Sequence, residues 1–136
     1  MEKTACSVTA HRSPGWPIGG LLLDALTHRD FDAMRKLFDD NVRFRALVPS
    51  GPFEVNTAEE TAAKFRAWFG GEDDFEVVDA SLGQVGAKLY ARWQVRLAAP
   101  GHSHESRVAE QHVFISGTER VEALELLCSG FQRDVQ

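Results

Sequence analysis

The chain has 136 residues, 15 Lys and Arg against 20 Asp and Glu for a formal charge of -5, and 43% hydrophobic residues. That size and balance fit one globular domain, and a chain this long buries roughly two-thirds of its unfolded surface, so neither metal nor disulfide is needed to hold a core. The acidic balance excludes broad phosphate-backbone binding, which requires a basic face to displace counterions. Nucleic acid is therefore not an expected partner. Cys6 and Cys128 lack companions at metal-motif spacing, which suits a reducing compartment. The first twenty residues hold no apolar run long enough for a signal-peptide core, and the expectation is a cytoplasmic protein that engages no membrane.

Residues 1–15 mix Ser, Thr, Pro, Arg and His without periodicity and read as a flexible arm preceding a single domain over 16–136. Trp16 either pins that arm or closes the mouth of a cavity. Pro17 suits a first helical turn, and Leu21, Leu22, Ala25 and Leu26 follow at helical spacing, so a first helix is expected to end near His28. Asp30 then caps a second helix whose apolar stripe is Phe31, Met34, Leu37 and Phe38, ending before Asn41. From Val42 the period becomes two, with Val42, Phe44, Ala46 and Val48 alternating against Arg43, Arg45 and Leu47 until Pro49-Ser50-Gly51-Pro52 breaks the run. Thr57-Ala58-Glu59-Glu60 is a capping box in which hydroxyl and carboxylate each satisfy a free backbone donor. The helix it opens carries Ala62, Phe65, Trp68 and Phe69 and stops at Gly70-Gly71, where a left-handed residue is easily accommodated. Four strands in meander order are expected over 75–82, 88–98, 107–116 and 121–128. In the second of them Leu89, Ala91, Trp93, Val95 and Leu97 form the core face. Three helices followed by a long antiparallel sheet define an α+β layer, and a twisted sheet curls into a cone with an apolar interior.

That element order, with Arg29-Asp30-Phe31-Asp32-Ala33-Met34 opening the second helix and the final hairpin 113–121, resembles the nuclear transport factor 2-like superfamily, including the SnoaL-like cyclases, over about 15–131. The resemblance implies three N-terminal helices packed in the concave face of a strongly curved, mainly antiparallel sheet. It also implies frequent dimerisation through the sheet and a pocket used by some members for catalysis and by others for binding alone. Aligned with ketosteroid isomerases, the carboxylate base falls at Ala46, the helix-one tyrosine at Leu22 and the strand acid at Gln111. Neither Ala46 nor Leu22 can take part in proton transfer or hold an oxyanion, which excludes isomerisation by that route.

The same alignment, with alternation, turns Phe44, Phe65, Trp68, Trp93, Gln111, Val113, Leu124, Leu126 and Cys128 toward one hollow suited to an apolar or aromatic small molecule. Gln111 either orients a ligand carbonyl or bonds within the core. Cys128 is either a thiol nucleophile or a small buried hydrophobe. Glu110 and His112 share a strand face and resemble an acid-base pair, placed by the alignment on the outer side. His102, His104 and Glu105 invite a metal reading but read as a polar turn, so neither cofactor nor metal is expected. Arg43, Arg45, Arg92 and Arg96 solvate the sheet or form cross-strand ion pairs. Two functions follow: a small-molecule pocket with cyclase, isomerase or hydratase chemistry, or a non-catalytic dimeric module using Tyr90, Arg92, Glu110, His112 and Phe114.

Overall fold

The computed structural model describes residues 16–134; the proposed arm, Cys6 and the side chain of Trp16 lie outside what it describes. Helix α1 spans Trp16–Thr27 and α2 spans Phe31–Leu37. The buried face of α1 is Ile18, Leu22, Ala25 and Leu26, so three of the expected stripe residues are buried while Leu21 is 54% exposed and Ile18 takes its place. Asp30 caps α2, its carboxylate accepting from the Ala33 N–H at 3.0 Å. Arg29 donates to the carbonyl oxygens of Phe69, Gly71 and Asp73, which ties the α1–α2 turn to the segment after the third helix.

Strand β1 (Phe38–Val48) starts earlier than alternation suggests, and α2 correspondingly ends before Phe38. Phe38 adopts extended backbone and pairs in parallel with Val121, its ring 1% exposed. One more residue adds little to so short a helix, whereas burying a phenyl ring contributes about 1.5–3 kcal/mol. The register shifts between Phe38 and Arg43, which accommodates the polar run at 39–41. Strand β2 (Gly51–Val55), absent from the sequence reading, folds back on β1 with Val48 opposite Gly51 and Phe44 opposite Val55. Pro52 is tolerated because β2 is an edge strand.

Helix α3 (Ala58–Phe69) begins at the capping box, where the Thr57 hydroxyl oxygen accepts from the Glu60 N–H at 3.1 Å. The Glu60 carboxylate accepts the Thr57 hydroxyl proton at 3.0 Å instead of reaching a backbone donor. The helix stops at Gly70, which is not left-handed (φ -94°). Its missing side chain matters for another reason: a Cβ there would lie 2.6 Å from the Arg66 carbonyl oxygen.

The meander follows as β3 (Asp74–Val85), β4 (Lys88–Ala98), β5 (Arg107–Ser116) and β6 (Val121–Cys128), with a short β7 (Gln132–Arg133). Strand order across the curved, unclosed sheet is β2-β1-β6-β5-β4-β3, with β7 pairing β5. Every ladder is antiparallel except β1–β6. The three helices fill the concave side, where their buried residues and the inward residues of the strands form one core. No described helix is long and apolar enough to cross a membrane.

Candidate functional site

Period-two alternation on β1, β4, β5 and β6 carries the inward side chains to one place. Phe44, Phe65, Trp93, Gln111, Val113, Leu124 and Leu126 are each at most 3% exposed, while Trp68 and Cys128 are half-buried. Phe44 and Phe65 stack at 5.5 Å and 11°, and Trp68 meets both edge-on. The polar point in this region is Gln111. Trp93 Nε1–H donates to its Oε1 at 2.8 Å, and its Nε2–H donates to Cys128 Sγ at 3.3 Å. A second donor, the Gly130 N–H, reaches the same sulfur at 3.4 Å. The amide thus holds two partners within the core, which satisfies a fully buried group. Ala46 and Leu22, the other two isomerase-equivalent positions, are also buried.

The opposite face carries a polar row. The Tyr90 hydroxyl bonds His112 Nδ1, and His112 Nε2 lies 2.6 Å from Glu110 Oε2. A carboxylate only accepts, so His112 Nε2–H donates to Glu110, and the Tyr90 hydroxyl pairs with the ring's other nitrogen. Arg92 extends the row between Asp79 and Glu110. The hydrogen bond from Arg92 and then its charge hold the Asp79 carboxyl below the usual carboxylate range. Further along, Glu125 is likewise held low, first by the hydrogen bond from Lys88. Arg96 pairs with Asp134 and Glu76. Arg45, Arg92 and Arg96 are thus engaged in ion pairs, and Glu110 and His112 stand across the sheet from Gln111.

The sequence did not single out a groove of about 560 Å³ on this outer face, lined by residues including Leu47, Phe53, His112, Phe114 and Leu127. The signal was there: Leu47 and Leu127 occupy outward positions where Arg43, Arg45 and Glu125 are polar, and they are 50% and 56% exposed. A neighbouring, more polar cleft of about 400 Å³ is lined by Glu110, His112, Cys128 and Ser129 among others. His112 borders both.

An open α+β cone with an aromatic interior and a grooved outer sheet defines the class of protein. The chain belongs to the SnoaL-like domain family, whose pattern matches residues 21–119. Its fold is that of the nuclear transport factor 2-like superfamily. Among solved structures it is similar to an LEH-like epoxide hydrolase of M. tuberculosis, at 17% identity over 85% of this chain and 83% of that one, with a TM-score of 0.64. It is also similar to a Xanthomonas campestris protein described as a polyketide cyclase, at 13% identity over 85% and 90% of the two chains, with a TM-score of 0.67. A third is a nuclear transport factor 2-like protein of Burkholderia xenovorans, at 7% identity, 89% and 93% coverage and a TM-score of 0.64. No curated protein matches this chain in sequence.

Proposed function

We propose that this SnoaL-like domain binds a compact apolar or aromatic small molecule in the interior of its cone. The observation that supports it is a continuous run of rings from the core to the surface. Buried Phe44 meets Trp68 at 6.2 Å, Trp68 meets Phe69 at 6.0 Å, and Phe69 meets Phe131, itself 38% exposed, at 6.2 Å. An apolar guest displacing half-buried Trp68 exchanges one aromatic contact for another, so opening this end costs less than opening a wall of fully packed side chains. Gln111 is the polar group that orients such a guest, exchanging its contact to Cys128 for one to a ligand carbonyl. The carboxylate route of the isomerases has no acid or base at Ala46 or Leu22.

The test is a melting series with aromatic ketones and polyketide-like aromatics, read alongside tryptophan fluorescence. A guest that binds only the folded chain at 100 times its Kd adds about 2.7 kcal/mol of stability. The expected result is a raised melting temperature with quenched fluorescence, and loss of both in Trp68→Ala. No shift across the whole panel overturns the reading.

A second reading, self-association through the outer face, is favoured by the exposure of Leu47, Phe114 and Leu127 beside one groove. The two are compatible, since they use opposite sides of the sheet.

A further inference from the structure

We propose that the β4–β5 connection is a binding site for a first-row divalent transition metal, held by His102, His104 and Glu105. Sequence spacing alone gives two histidines and a glutamate in one polar turn; the fold adds the shape that brings their donor atoms together. The chain leaves β4, turns through Gly101 at φ +81°, and forms a single 3₁₀ turn over Ser103–Glu105. In such a turn residues three apart eclipse one another. His102 and Glu105 are three apart, and the Glu105 N–H closes the turn on the His102 carbonyl at 2.9 Å. Their side chains consequently stand one above the other, with His102 Nδ1 3.5 Å from Glu105 Oε2.

The His104 ring comes alongside, 6.1 Å from that of His102 between centroids, and one donor atom from each of the three residues lies within 4.8 Å of the other two. Donors bound tetrahedrally at the usual zinc distances are separated by about 3.4 Å. The His102–Glu105 pair already stands near that spacing, and exposed side chains cover the remaining approach by rotation. The frame beneath them is fastened at both ends. The His102 N–H donates to the Ala99 carbonyl at 2.9 Å, and buried Ser106, immediately after the turn, donates its hydroxyl to Asp134 at 3.1 Å.

Two imidazoles and one carboxylate suit Zn²⁺, Cu²⁺ or Ni²⁺ and not Mg²⁺ or Ca²⁺, which take oxygen donors. Three protein donors leave a fourth position to water. His104 and Glu105 also line a cleft of about 610 Å³ with Ser106, Arg107 and Phe131, which puts a bound ion at the rim of a recess large enough for a small molecule.

The experiment is calorimetric titration of the full chain, without an affinity tag, with Zn²⁺ alone, repeated for His102→Ala/His104→Ala. The subtraction removes any contribution from His11, His28, His112 and the cysteines. The expected result is one equivalent bound by the wild type and at least tenfold weaker binding in the double variant. Cu²⁺ added to the wild type should give a resonance spectrum with two imidazole nitrogens, reduced to none in the double variant. Equal Zn²⁺ affinity in both proteins, no binding by the wild type, or displacement by equimolar Ca²⁺ each overturns the proposal.

Discussion

Trp93 and Gln111 face each other in register across β4 and β5, and the indole N–H donates to the amide oxygen at 2.8 Å with both side chains at most 1% exposed. The bond joins two otherwise apolar walls at the middle of the sheet. It fixes the fully buried indole in one orientation. It also gives the amide at the isomerase-acid position a structural partner.

Removing one end of that bond leaves the other buried and unpaired. Gln111→Leu therefore costs about 1–3 kcal/mol, seen as a lower urea midpoint with an unchanged slope. In a Trp93→Phe background, where no indole N–H remains, the same substitution costs distinctly less. Equal cost in both backgrounds means that the two side chains are not coupled and that the loss has another source.

Gly117 turns β5 into β6 at φ +131°, and a Cβ there would sit 2.0 Å from the Arg120 carbonyl oxygen. Gly86, in the β3–β4 turn at φ +60°, has nothing within 4 Å of the same position. Gly86→Ala meets only the left-handed penalty of about 1–2 kcal/mol, whereas Gly117→Ala adds a backbone collision that must displace the hairpin. Thermal melts of the two variants should separate clearly, Gly117→Ala lower; similar melting temperatures would mean that the hairpin yields without strain.

How much of this was legible in the sequence depended on one-sided burial. The bounds of β4, β5 and β6 follow directly from period-two alternation, because each strand has one dry and one wet face. Phe38 is not legible as a strand residue because Asp39, Asp40 and Asn41 break the alternation where the register shifts, leaving it in helical spacing with the preceding stripe. Strand β2 was hidden by Pro49 and Pro52, which mark a break in any central strand but are tolerated in an edge hairpin. The placement of Gln111 inside and of Glu110 and His112 outside was readable from parity once the family resemblance set which face is inner. The outer groove was not, because it arises where β1 meets β6, residues about 80 positions apart in parallel register, and no local pattern encodes that meeting.

Glu125 lies on the outer face between Lys88 at 2.8 Å and Arg45 at 3.2 Å. Its folded-state pKa is depressed below the ordinary 4.5, chiefly by the Lys88 hydrogen bond. A depressed carboxylate contributes stability above its unfolded pKa and loses it as pH falls through the folded value. Glu125→Gln should therefore be less stable than the wild type near pH 7, by no more than about 1 kcal/mol for so exposed a pair. The difference should close as pH drops below 4.5 toward the folded pKa. A deficit that persists in strong acid would assign the loss to packing.

Leu47 and Leu127 are register partners in the parallel β1–β6 ladder, and both are half exposed beside the groove that also includes Phe114. Large side chains at the centre of a sheet face that water reaches are the pattern of an association surface, and a two-fold contact would bring each leucine pair against its own copy. A charge at the centre of such a contact appears twice, close to itself and desolvated, while on a monomer it simply stands in water. Leu127→Arg should accordingly keep the melting temperature of the isolated fold and yield monomers by light scattering where the wild type is a dimer. Val85→Arg, at an equally exposed position on the far edge strand, should leave the dimer intact. A monomeric wild type at tens of micromolar, or a dimer that survives Leu127→Arg, would remove this face from consideration as the contact between copies.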